Sequence, residues 1–154
     1  MLLNKDIKRT LRKMLKIVSR ETKFCYLRNT LNKKNTSFIG TLGEDIAVRY
    51  LKEKGYSVLG RNYREKWGEI DVVTQREGRF HFFEVKAVED RGQVVMPEEN
   101  VHEKKLKRLF RTIHTYLESI RAEEKEWQLD VLAIFIDRAT KTARIRLTPN
   151  VFLE

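Results

Sequence analysis

The stretch Gly68-Glu69-Ile70-Asp71-Val72-Val73-Thr74-Gln75-Arg76-Glu77-Gly78-Arg79-Phe80-His81-Phe82-Phe83-Glu84-Val85-Lys86 decides how the chain is read. Val, Ile and Phe fill both halves, as in β-strands, and Glu77-Gly78 divides them as a two-residue hairpin turn would. Strands are predicted over Glu69–Arg76 and Arg79–Val88, paired antiparallel. Each step outward from the turn sets one residue against another, which places Asp71 opposite Glu84 and Glu69 opposite Lys86. Alternation along each strand brings all four to one face.

Three acids and a lysine among apolar neighbours are costly to bury unless a cation compensates. Oxygen ligands suit a hard divalent ion, Mg²⁺ (or Mn²⁺). Lys86 would neutralise developing negative charge or orient an attacking water, so the set has the parts for metal-assisted phosphodiester hydrolysis. The same residues admit two plainer readings. Glu69 and Lys86 can form a cross-strand ion pair at a strand end, and a one-residue slip would turn Asp71 and Glu84 to solvent.

On the N-terminal side, Phe38, Ile39, Leu42, Ile46, Tyr50 and Leu51 follow helical spacing over residues 38–54, with Gly55 at the left-handed cap position. A strand is predicted over Tyr56–Arg64. Thr41-Leu42-Gly43-Glu44 reads as a capping box, which would occupy Glu44 with backbone at a helix start. On the C-terminal side, Pro97 and polar neighbours form a loop. Leu106, Leu109, Phe110, Ile113, Leu117 and Ile120 then mark an amphipathic helix from His102 to Arg121. Strands at Trp127–Ile136 and Ala143–Leu147 close the order α-β-β-β-α-β-β. Strands apolar on both faces imply a central sheet covered by helices, an α/β fold.

The helix from His102 carries Lys104, Lys105, Lys107, Arg108 and Arg111 on the sides left exposed by its apolar stripe. Such cations would position nucleic-acid phosphates without reading sequence; a solvated helix face is the plainer account. Trp67 can stack on a base or anchor a loop, Trp127 belongs to the core, and His81 is packing or surface. His102 could approach the carboxylates from the loop, or cap the helix, or lie exposed.

Charge divides the chain near Ser37. Residues 1–37 hold eleven Lys and Arg against two acids, and so carry nine of the ten net positive charges. This basic arm, with Ile7, Leu11, Leu15 and Val18 at helical spacing, is expected to be partly helical or disordered, ahead of a domain spanning 38–154. It can bind phosphates, solubilise the chain, or lie on an anionic membrane surface. With 41% apolar residues the chain can build a core. A single cysteine, Cys25, excludes an internal disulfide and a Cys-type zinc site. No apolar run reaches membrane-span length, and charge at Lys5-Asp6 comes too early for a signal peptide, so a cytoplasmic protein is expected.

Gly43-Glu44, Gly55-Tyr56, Arg61-Asn62-Tyr63-Arg64, Gly68-Glu69-Ile70-Asp71 and Phe83-Glu84-Val85-Lys86, in this order, resemble the YraN family of restriction-endonuclease-like proteins. That family is similar to archaeal Holliday-junction resolvases within the PD-(D/E)XK nuclease group. The likeness runs from about Phe38 to Phe152 and leaves the arm uncovered. Ile70 stands where the wider group often has proline, as the YraN pattern permits. The resemblance implies a mixed central sheet flanked by helices, Asp71 and Glu84 as metal carboxylates, Lys86 as the catalytic lysine and Glu44 as an additional acid of the metal site. Glu69 would support them. It further implies that Lys105, with Lys104, Arg108 and Arg111 nearby, contacts a nucleic-acid backbone. The substrate expected is DNA, structured or branched, with RNA ranked behind it. A homodimer is expected by analogy with resolvases. A non-catalytic nucleic-acid binder that keeps the fold is the alternative.

Overall fold

The computed structural model describes residues 22–25, 36–90 and 103–151. The predicted arm helix, the Pro97 loop and His102 lie outside these residues. The elements are β1 (Thr22–Cys25), α1 (Thr36–Glu53), β2 (Ser57–Glu65), β3 (Gly68–Arg76), β4 (Arg79–Glu89), α2 (Glu103–Ser119), β5 (Trp127–Asp137) and β6 (Thr142–Thr148). One sheet contains all six strands in the order β1-β6-β5-β4-β3-β2. Only β4 and β5 pair in parallel, and α2 lies between them in sequence. The remaining neighbours are antiparallel.

From α1 to β6 the order is the one the apolar periodicities predict. The arm supplies one further strand, β1, paired with β6, at residues to which the periodicities assign no element. The unpaired edge of β6 is a template of backbone donors and acceptors, and four residues of the arm satisfy it.

The sheet is covered on both faces. Leu42, Ile46, Ala47 and Leu51 of α1 pack with Val72, Phe83, Leu132 and Ile134 on one side. Leu109, Ile113 and Leu117 of α2 pack with Val73, Phe80, Phe82 and Leu129 on the other. Residues Leu129 to Ile136 of β5 are all buried, as expected of a central strand with no solvent face. Trp127 sits beside this second layer, edge-on to Phe82 and Phe110.

The helix ends follow from local chemistry. Tyr56 N–H bonds to Leu51 C=O at 3.0 Å and Gly55 N–H to Lys52 C=O at 3.1 Å, with Gly55 at φ 83°, a Schellman cap. At its start, α1 extends back to Thr36, so Thr41 lies inside the helix. The capping-box reading of Thr41 and Glu44 is therefore wrong, and Glu44 is left for other partners.

Gly43 brings α1 onto β4. A Cβ at this position would stand 2.2 Å from the Ala87 Cβ, too close for any pair of carbon atoms. Gly40, on the same helix, has nothing within 4 Å of its would-be Cβ. Replacing Gly within a helix by Ala ordinarily gains up to about 1 kcal/mol. Gly40→Ala is accordingly expected to raise stability in urea denaturation. Gly43→Ala is expected to lower it by about 1–3 kcal/mol, because α1 must move off β4. Equal effects at the two positions would contradict the close approach.

Candidate metal and nucleic-acid site

The hairpin turn predicted at Glu77-Gly78 is present, with both residues at positive φ (52° and 82°), as a type I′ turn requires. The register follows from it. Arg76 pairs with Arg79, Thr74 with His81, and Val72 with Phe83. There the β3–β4 ladder ends, while β4 continues along β5 to Glu89. One step further out lie Asp71 and Glu84. Asp71 Oδ2 accepts the Val85 N–H at 2.7 Å, so a side-chain carboxylate takes the place of a main-chain acceptor where the strands part.

Glu84 is only 3% exposed, and its charge is met by two lysines. Lys86 Nζ lies 2.8 Å from Glu84 Oε1. Lys105, from the first turn of α2, donates to the same oxygen. The Asp71 carboxyl is pushed up to about 7, first by burial and then by the Glu84 charge; the Val85 N–H opposes this, Glu44 adds to it and Lys105 opposes it. Burial pulls the Lys86 ammonium group down, but its bond to Glu84 and the charges of Glu84 and Asp71 outweigh this, so its pKa is raised.

Glu44 reaches the same neighbourhood from α1, one residue beyond the glycine that seats the helix on β4. Its Oε2 accepts Asn62 Nδ2 at 3.0 Å and lies 3.8 Å from the Arg61 guanidinium. Arg61 also bonds Asp45 at 2.7 Å. Asn62 adopts φ 51° within β2, a left-handed conformation that Asn tolerates better than most residues. Tyr63 meets Tyr116 of α2 edge-on at 5.1 Å, and Arg64 lies 3.0 Å from Glu69. The Arg61-Asn62-Tyr63-Arg64 run thus orients Glu44, braces α2 and engages Glu69. Asn62 as a partner of Glu44 is not visible from strand alternation, because its left-handed backbone breaks that alternation.

The structure brings together Asp71, Glu84, Lys86 and Lys105, with Glu44 alongside. It does not place Glu69 on Lys86: Glu69 pairs with Arg64 and Lys86 with Glu84. The cause is the end of the ladder, beyond which the register no longer sets opposing residues. Lys105, expected on the outer helix face, instead turns to Glu84. Its long apolar stem lets the ammonium group reach back over the strand. Gly68 permits the approach of α2, since a Cβ there would meet Thr112 Oγ1 at 2.7 Å and the Arg108 carbonyl oxygen at 3.3 Å.

Lys104, Arg108 and Arg111 are exposed on α2. The Arg111 guanidinium lies over the Trp67 ring at 4.1 Å, so Trp67 acts as an anchor between loop and helix. His81 is held by Asp130 at 3.0 Å and stacks on Phe83, a packed core histidine.

Among the described residues, no three His, Cys, Asp or Glu side chains form a ready-made metal-binding group. Glu84 is engaged by two lysines and Glu44 by Asn62. The donor chemistry nonetheless fits a hard divalent cation. Asp71 and Glu84 offer oxygen donors from adjacent strands, their mutual repulsion raises Asp71, and Glu44 contributes further negative charge.

A mixed sheet with α1 on one face and α2 on the other, in the order α-β-β-β-α-β-β after the arm strand, is consistent with an α/β nuclease-like fold. Residues 43–134 match the family described as "Uncharacterised protein family UPF0102", the YraN family, and the chain belongs to it. A UPF0102 protein of Alkaliphilus oremlandii is 38% identical over 122 residues, covering 79% of this chain and 100% of its own. Another, from Campylobacter lari, is 36% identical over 98 residues (64% of this chain and 84% of the relative). A third, from Persephonella marina, is 35% identical over 95 residues, covering 62% and 81%. Among the described residues no helix is long and apolar enough to cross a membrane.

Proposed function

We propose that the protein is a divalent-metal-dependent endonuclease that hydrolyses phosphodiester bonds in DNA, with structured or branched DNA as substrate. The observation that carries this reading is the meeting of Asp71, Glu84 and Lys86 where β3 leaves β4. Asp71, whose ionisation is disfavoured by burial and by the Glu84 charge, is kept beside Glu84 and its lysine, an arrangement costly to the fold and useful for chemistry. Asp71 and Glu84 would hold Mg²⁺ or Mn²⁺, with Glu44 contributing directly or through water. The ion would supply Lewis-acid stabilisation of the phosphoryl oxygens and a more acidic water. Lys86, fixed by Glu84, directs positive charge at the reacting phosphate. Lys104, Arg108 and Arg111 of α2 hold the flanking backbone. A four-way junction has paired scissile positions, so a homodimer is the assembly this substrate calls for.

The test is cleavage of nicked, flapped and four-way DNA with Mg²⁺ or Mn²⁺, against an Asp71→Ala control. Scission by the native chain and none by the control is the expected result. Equal, background-level scission by both overturns the proposal.

A second reading is favoured by the two lysines that already neutralise Glu84: a non-catalytic nucleic-acid binder that retains the fold. Such a binder loses salt-sensitive DNA affinity when residues 1–37 are removed, and is indifferent to Glu84→Ala with or without metal.

A further inference from the structure

Two ammonium groups share one oxygen of a buried carboxylate, and they reach it by different routes. Lys86 stands two residues along the same strand as Glu84, with its side chain 26% exposed. Lys105 comes from α2, with its side chain 38% exposed against 3% for Glu84. One of the two cations is thus built into the sheet, and the other is laid over it from the solvent side.

The charge balance gives this meaning. Asp71 and Glu84 supply two negative charges when ionised, and Lys86 and Lys105 two positive ones. A divalent ion added to these four groups would leave two positive charges in excess, of which Glu44 can offset one, in a half-buried site. Such an excess is relieved when the more exposed ammonium group turns out into water.

We propose that Lys105 is an internal counter-ion of the metal site: it occupies Glu84 in the cation-free protein and competes with a hard divalent cation for that carboxylate. The inference rests on the assignment of Asp71 and Glu84 as ligands of the cation. Lys105 is then a positioning residue whose removal improves metal uptake, the opposite of what loss of a ligand does. Lys104, its exposed neighbour on α2, has no such role.

The experiment is calorimetric titration of Mn²⁺ into the full chain and into its Lys105→Met and Lys104→Met variants. Lys105→Met is expected to bind Mn²⁺ about tenfold more tightly than the native chain, because a competing charge at contact distance is gone. Lys104→Met is expected to match the native chain within about twofold, its charge being screened by water. Lys105→Gln gives a second neutral variant should Lys105→Met not fold. Uptake by the native chain with equal or weaker uptake by the Lys105 variants overturns this inference and leaves the ligand assignment standing. No uptake by any of the proteins overturns both.

Discussion

Glu84→Gln is expected to reduce metal-dependent DNA cleavage by at least about 10³-fold, equivalent to about 4 kcal/mol of transition-state stabilisation. The substitution keeps the shape of the side chain and one oxygen acceptor, and removes the charge. In the native chain that charge is nearly sealed from solvent and holds both Lys86 and Lys105. Without it, Asp71 is left as the one ionisable carboxylate on these two strands at the site, and Lys86 loses the partner that fixes its position. The fold should tolerate the change, because both lysines are partly exposed and water can take over their solvation. Single-turnover cleavage checks the expectation, with thermal unfolding showing that the variant remains folded. Cleavage within tenfold of the native rate would remove Glu84 from the reaction.

The second large effect is on stability and has a defined pH dependence. The Asp71 carboxyl titrates near 7 in the fold, against 3.8 when unperturbed. Between these values the folded protein keeps a proton that the unfolded chain has released. Its contribution to stability is therefore present in acid and is lost as pH rises toward and through 7. Asp71→Asn removes the titration and retains an oxygen acceptor for the Val85 N–H. In metal-free buffer the variant should exceed the native chain by about 4 kcal/mol at high pH, with the gap closing near the unperturbed carboxylate pKa. Urea denaturation at several pH values measures it. A gap that does not change with pH would show that Asp71 is not titrating as its surroundings imply. Loss of cleavage together with gain in stability is the trade expected where like charges are held together for chemistry.

The sequence reveals the hairpin because its information is local. A turn of two residues and strict alternation suffice to align Val72 with Phe83, and the structure keeps that alignment. Glu69 shows the limit of such reasoning. Its expected place beside Lys86 assumes a ladder that continues, whereas the strands separate after Val72 and Arg64 takes Glu69. Lys105 illustrates a different limit. The apolar stripe of α2 predicts which side of the helix faces the sheet, but not where a flexible four-carbon stem carries its charge. Gly43 and Gly68 are legible as parts of the motifs that resemble the family, yet only coordinates show that they are where helices touch strands. Asn62 is hidden for a related reason, since its role depends on a left-handed backbone inside a strand.

The strand Thr22–Cys25 has a consequence for the electrostatics of the whole molecule. By joining β6, it moors the chain three strand spacings from β4, about 15 Å at the usual inter-strand distance. The seven Lys and Arg residues that precede it in sequence are therefore joined covalently to the sheet at Thr22. The point at which that charged sequence enters the sheet is set by strand pairing, so its reach toward the β4 carboxylates is bounded by its own contour length and not by that of residues 26–35.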